Sequence, residues 1–282
     1  MTTLEYVKEK QKLWAKAHHI QLVGSRGEHG EKVYTADLAG NLFQGLSPSS
    51  RHEFAGGDGN ELGGGDKPCK MQALHSSSAI GVNVFEYWKC NGRACVIAKA
   101  LGLPSAGIAY LQFEQKYAIF NEEAKHPNVD VNIHYQNGDL DGIECKFTEP
   151  FQARAASGLK PKYLDDFAHW AEFPALRAYA QKISPKDGVN KYLHAAQLIK
   201  HTLGMYSLKQ DKSTFRLLYL YQPAFFEDNR RYLDELNSLK ECFKRDGVTF
   251  QFITWQKAII NLAKHIEKSD DAYYRYIVEH YL

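Results

Sequence analysis

No run of about 18 apolar residues, the length a bilayer crossing demands, occurs in these 282 residues. The opening stretch, MTTLEYVKEKQKLWAK, carries charges where a signal peptide needs an apolar segment. No membrane association is expected, and a cytoplasmic location is. Cysteine is sparse. Its five positions, Cys69, Cys90, Cys95, Cys145 and Cys242, form an odd number without a dense framework, which fits reduced thiols better than disulfides. Cys90 and Cys95 have no second Cys/His pair to complete a zinc site. Net charge is small as well, at +2, too little to announce a polyanion partner by itself. No nucleophile elbow, Ser-His-Asp order or dinucleotide fingerprint appears. The glycine-rich stretch AGGDGNELGGGD lacks the Gly-Lys-Ser/Thr ending of a phosphate-binding loop.

What is present describes a folded chain. Apolar residues make up 44%, aromatic 13% and charged 24%, all in the globular range. The length suits one large domain or a domain with an appendage. Charge is unevenly spread: between Phe151 and Arg216 there are 11 Lys/Arg against 5 Asp/Glu. A basic zone of this kind suits a phosphodiester partner, and equally the solvated faces of helices.

A helix is expected over Thr3 to about Ile20, then a long loop with conformational freedom from Gly24 to Lys67, where Gly, Ser and Asp crowd together. Serines before Ile80, Val84, Phe85 and Trp88 cap a further helix, which continues or restarts through Arg93 to Leu101. Three strand-like runs follow at Gly107–Ile119, Val129–Gln136 and Leu140–Thr148, the last two joined across the hairpin signal Asn137-Gly138. A helix over Lys191–Tyr206, a buried-type strand over Phe215–Tyr221, a helix over Asn229–Arg245, a strand over Val248–Trp255 and two closing helices complete the order. Strands alternating with helices after a meander imply an α/β fold, a mixed β-sheet with helices on both faces. Residues 1–70 read as an N-terminal extension and 71–282 as the principal domain.

Chemistry concentrates on the hairpin. Glu144 and Lys146 are two apart on a strand and share a face, with Cys145 on the other. For Asp130 to stand opposite Glu144 the paired positions must sum to 274, whereas an even turn centred on Asn137-Gly138 gives 275. The pattern therefore requires a bulge or an odd-length loop within Gln136–Gly142. Asp130, Glu144 and the Cys145 carbonyl are hard oxygen donors of the kind Mg²⁺ prefers, and Lys146 can orient a water or offset charge on a phosphorane.

At this point the residues resemble a family. Pro127-Asn128-Val129-Asp130 followed by Glu144-Cys145-Lys146 is similar to the signature of the PD-(D/E)XK nuclease superfamily, although here Pro127 precedes Asp130 by three positions. The resemblance implies a restriction-endonuclease-like αβββαβ core over about Met71 to Trp255, with Mg²⁺ (or Mn²⁺), a DNA substrate and a homodimer. It makes Asp130, Glu144 and Lys146 catalytic and implies a fourth acidic residue, Glu114 on the first meander strand in preference to Glu86 on the preceding helix. Glu149, in Glu144–Pro150, is an accessory candidate, and Gln197 and Lys200 fall where related nucleases place residues near DNA. A catalytically silent nucleic-acid-binding module with the same fold is the rival reading. His18, His19, His194 and His201 have no ligand spacing and read as satisfied surface or core groups.

Overall fold

The computed structural model describes residues 1–26, 29–63, 65, 67–120, 126–152, 157–165 and 168–282. Its elements are α1 (Thr3–Ala17), β1 (Leu22–Arg26), β2 (His29–Thr35), α2 (Pro48–Gly56), α3 (Ser77–Cys90), α4 (Ala94–Leu101), β3 (Ile108–Lys116), β4 (Asn128–Tyr135), β5 (Leu140–Lys146), α5 (Pro161–Leu164), α6 (Pro174–Lys182), α7 (Ala195–Lys209), β6 (Phe215–Tyr221), α8 (Phe226–Arg245), β7 (Thr249–Thr254), α9 (Trp255–Leu262) and α10 (Asp271–Tyr281). Gly64, Asp66 and part of the basic zone, including Arg154 and Asp166, lie outside the described residues.

Five strands form one mixed sheet in the order β3-β4-β5-β6-β7. The meander β3-β4-β5 is antiparallel, and β5, β6 and β7 run parallel. This is the restriction-endonuclease-like α/β architecture, with helices packed on both faces. One apolar layer gathers α3, α4, α9 and α10 over Phe113, Val131, Ile143 and Leu220. The opposite layer gathers α6, α7 and α8 over Leu140, Leu217, Tyr219 and Phe250. Alternating strand positions supply the two layers, as a pleat with both faces covered requires. No helix among the described residues is long and apolar enough to cross a membrane.

The termini of the helices follow local chemistry. Thr2 and Glu5 close a capping box on α1, and Ser76 accepts the Ala79 N–H at the start of α3. Gly102, at φ +72°, ends α4 in the left-handed region that glycine enters without a Cβ clash. The helix expected from Lys191 begins four residues later, at Ala195. Its would-be first turn is diverted because the N–H groups of Lys191, Tyr192 and Leu193 all donate to the Glu235 carboxylate on α8.

The long loop expected over Gly24–Lys67 is broken by ordered elements. Part of it is the β1-β2 hairpin and part is α2, which starts where Ser47 caps and Pro48 occupies the first turn. Tertiary bonds hold this segment. Ser47 N–H and the Ser50 hydroxyl donate to Glu86 on α3, and Glu53 accepts both the Phe113 N–H at 2.8 Å and the Lys89 ammonium. Glu53 thereby satisfies a main-chain donor on the sheet's edge strand, which α2 covers.

Candidate metal centre

The hairpin between β4 and β5 sets the register of the site. Val131 pairs with Ile143, Asn132 with Gly142, Ile133 with Asp141 and His134 with Leu140, so every pair sums to 274. Tyr135 N–H donates to Asp139 O, leaving Gln136–Gly138 as an odd-length loop with Gly138 at φ +88°. The odd loop is the one the sequence requires, and it removes the one-residue slip that would send Asp130 and Glu144 to opposite faces.

The main-chain pairing of β4 with β5 stops at Val131 and Ile143. In the gap beyond, the Asp130 carboxylate takes the place of a strand acceptor and receives the Cys145 N–H at 2.7 Å. Cys145 turns its thiol to the α3 layer, near Gly81. Glu144 and Lys146 face α7 and are buried, at 0% and 8% exposure, with the Lys146 ammonium on the Glu144 carboxylate. The Lys146 carbonyl is held by the Trp255 indole at 2.9 Å and by the Gln222 N–H at 3.1 Å. Two anchors on its backbone fix where the Lys146 side chain begins.

A third carboxylate stands on the far side of Asp130. The β3-β4 pairs Phe113–Val131 and Gln115–Val129 bracket Glu114 and Asp130, placing the two opposite each other. At this point the backbone departs from regular geometry. Glu114 has φ +53°, unusual for a residue with a Cβ, while Val131 and Val129 pack into opposite apolar layers. Asn128 donates to Glu114, and a Cβ added to Gly57 would lie 2.8 Å from its carboxylate oxygen. Glu114, Asp130 and Glu144 thus form a row across three strands.

Their electrostatics follow from that crowding. Burial, the Glu144 charge and the Glu114 charge hold the Asp130 carboxyl well above its usual range, against the pull of Lys146 and the Cys145 N–H. Burial and the nearby Glu61 charge raise Glu114 to about 7, opposed by Asn128. Glu144 goes the other way: burial pushes it up, but Lys146 and His201 together bring it down to about 2. For Lys146, burial disfavours the charged form, yet the surrounding Glu144 and Asp130 charges raise its pKa overall. One ammonium therefore serves several acidic groups.

His201 is the residue that sequence reasoning passed over. Its Nε2 lies 2.8 Å from Glu144 Oε2, and the ring is 1% exposed. The signal was present but faint: His201 follows Gln197 by four positions, so a helix stacks the two on one face. Gln197, Lys200 and His201 line a polar cleft of about 330 Å³ on the α7 side of the sheet, shared with Asn128. Burial lowers the Lys200 pKa, with Lys160 and Lys162 also acting on it.

Two candidates stand apart from the row. Glu86 points to α2, where both oxygens are occupied by Ser47 and Ser50, so its carboxylate ties the N-terminal segment to α3. Glu149 sits in a short turn after β5, which ends at Lys146, and accepts the Phe147 N–H at 3.0 Å and the Ser77 hydroxyl. It is near enough to Lys146 to help keep that side chain charged.

The donor chemistry of the row fits a divalent cation: the groups are hard oxygens, and burial first, with the charge of Glu144 added to it, holds Asp130 and Glu114 up. The arrangement is closed as it stands. Among the described residues no three His, Cys, Asp or Glu side chains already converge on one metal position, since Glu144 is engaged by Lys146 and His201.

A family model described as Restriction Endonuclease associating with ARP matches residues 10–282 of the chain. No curated protein and no solved structure matches it.

Proposed function

We propose, starting from the chain's membership of the family of restriction endonucleases associating with ARP, that it is a metal-dependent endonuclease that hydrolyses DNA phosphodiesters in restriction or genome defence. The observation that carries this reading is the Asp130 carboxylate lodged between β4 and β5, beside the buried Glu144–Lys146 pair. Asp130, Glu144, Glu114 and the Cys145 carbonyl are the groups that would hold Mg²⁺, or Mn²⁺ in its place. The bound ion supplies Lewis acidity toward a phosphoryl oxygen and acidifies a water. Glu144 must exchange one of its present contacts to serve as a ligand, and His201 positions its carboxylate. Lys146 orients the attacking water and offsets charge gathering on the phosphorane. Gln197 and Lys200 receive the strand in the cleft. Cytoplasmic location, a homodimer that cuts both strands, and the partner ARP named in the family's description belong to the same proposal.

A second reading, a catalytically silent nucleic-acid-binding module, draws support from the closure of Glu144 by Lys146 and His201. Cleavage assays with Mg²⁺ or Mn²⁺ separate the two. The nuclease reading expects plasmid nicking or cutting of linear DNA by the wild type. Binding with a steep salt dependence and no cleavage of DNA or RNA supports the silent module.

A further inference from the structure

The two edges of the five-stranded sheet are built differently. On β3 the ladder slips between Ile108 and Tyr110, an irregularity of the kind that turns an edge away from a further strand. α2 lies along the same strand, where Glu53 takes the Phe113 N–H, and Glu114 at φ +53° breaks its regular run. β7 has none of these devices. Its ladder with β6 runs without a shift from Thr249 to Thr254, and among the described residues nothing but β6 bonds the main chain of Thr249–Ile253. The strand reads Thr-Phe-Gln-Phe-Ile-Thr, with no charge, no proline and no glycine. Such a segment on an open edge is a template for another strand.

The flanks of β7 say what kind of strand fits. Phe250 and Phe252 belong to the α8 layer, and Phe252 is only half-buried, with the Lys240 ammonium over its ring. On the opposite face Ile253 is half-buried against the layer that holds α9. A bare peptide would satisfy the main chain and leave both apolar flanks open. An uncharged strand that brings a helix on each face covers them, and β7 with α8 and α9 of a second copy is such a unit.

Resting on the homodimer of the reading above, we infer that two copies of the chain pair antiparallel along β7, about a two-fold axis at Gln251, and join their sheets into one. Directly opposite side chains share a face in such a ladder, so Phe250 of each copy stands against Phe252 of the other and the α8 layers continue across the junction. The outer edges are then the two covered β3 strands, so assembly stops at two.

The test uses the full chain and sedimentation velocity. Wild type is expected to sediment as a dimer. Gln251 is exposed, so lysine or glutamate there leaves the fold intact by circular dichroism while placing like charges opposite each other across the axis. Gln251→Lys and Gln251→Glu should each weaken dimerisation at least about tenfold, the factor that 1.4 kcal/mol represents. An equimolar mixture of the two should regain the dimer, because opposite charges then meet. Tyr110→Lys, on the exposed part of β3, should remain dimeric. A monomeric wild type, a dimer indifferent to both Gln251 variants, or a mixture that stays monomeric overturns the inference and leaves the nuclease reading intact. A dimer that behaves as expected but cleaves nothing in Mg²⁺ or Mn²⁺ retains the inference and overturns the nuclease reading.

Discussion

Replacing Lys146 by methionine removes the ammonium while keeping an unbranched side chain in the same buried space. Glu144 then loses one of its two partners and retains His201 at 2.8 Å. Removing one member of a buried ion pair costs about 3–5 kcal/mol, and the remaining histidine places the loss at the lower end, about 3 kcal/mol. At about 2–4 °C per kcal/mol for chains of roughly this size, Tm should fall by about 6–12 °C. The assay is thermal unfolding by circular dichroism in metal-free buffer at pH 7. Adding Glu144→Gln to Lys146→Met removes both charges, and most of the loss should return. The pH dependence has a definite sign. Glu144 is held down to about 2 from an ordinary value of 4.5, so the stability it contributes is fully present above 4.5 and disappears as pH falls toward 2. The gap between wild type and Lys146→Met should therefore narrow across that window. A Tm drop of less than about 2 °C, under 1 kcal/mol, would refute the reasoning, as would a double variant no more stable than the single one.

Asp130→Asn should abolish cleavage yet raise Tm above pH 4, because the wild-type carboxyl is held above its ordinary 3.8 by burial and by Glu144 and Glu114, and charging it costs stability as pH rises from there; an unchanged or lower Tm at pH 8 contradicts this. Glu114→Gln should flatten the decline in metal-free stability between pH 4.5 and about 7 that its raised carboxyl imposes, as measured by urea midpoints across that range. Gly204→Ala would bring a Cβ to 2.6 Å from Tyr117 Cβ and 2.9 Å from Pro127 Cγ; overpacking of about 1–3 kcal/mol should accompany a displaced His201 and slower cleavage, and a silent substitution would show that α7 can retreat freely. Glu53→Ala strands the Phe113 N–H and leaves the Lys89 ammonium with the Ser50 hydroxyl, for a loss of about 1–3 kcal/mol in urea unfolding.

The parts legible in the sequence are those written in local patterns. Phe215–Tyr221 is the same strand by sequence and by structure because six apolar or aromatic residues in a run of seven, interrupted only by Arg216, leave little else to form. The 274 register followed from requiring Asp130 to stand opposite Glu144, since side chains alternate and Gly138 permits the odd loop. What was illegible depends on contacts distant in sequence. Nothing near Ser47–Phe54 announces that Glu86 and Lys89, more than thirty positions on, will order it as α2. Glu86 looked like a site carboxylate on a well-placed helix until α2 claimed both its oxygens. His201 looked like a lone core histidine, and only the packing of α7 over β5 brings it to Glu144. The kink at Glu114 and Asp130, where two neighbouring strands change faces together, leaves no mark in the alternation of residues before or after it.

Incubating the purified protein with DNA in Mg²⁺ or Mn²⁺, beside Asp130→Ala and Lys146→Ala variants shown to be folded by circular dichroism, tests the central claim most directly. Metal-dependent cleavage by the wild type is expected, and none by either variant. Cleavage that persists in Asp130→Ala, or a wild type that binds DNA and never cuts it in either metal, would contradict it.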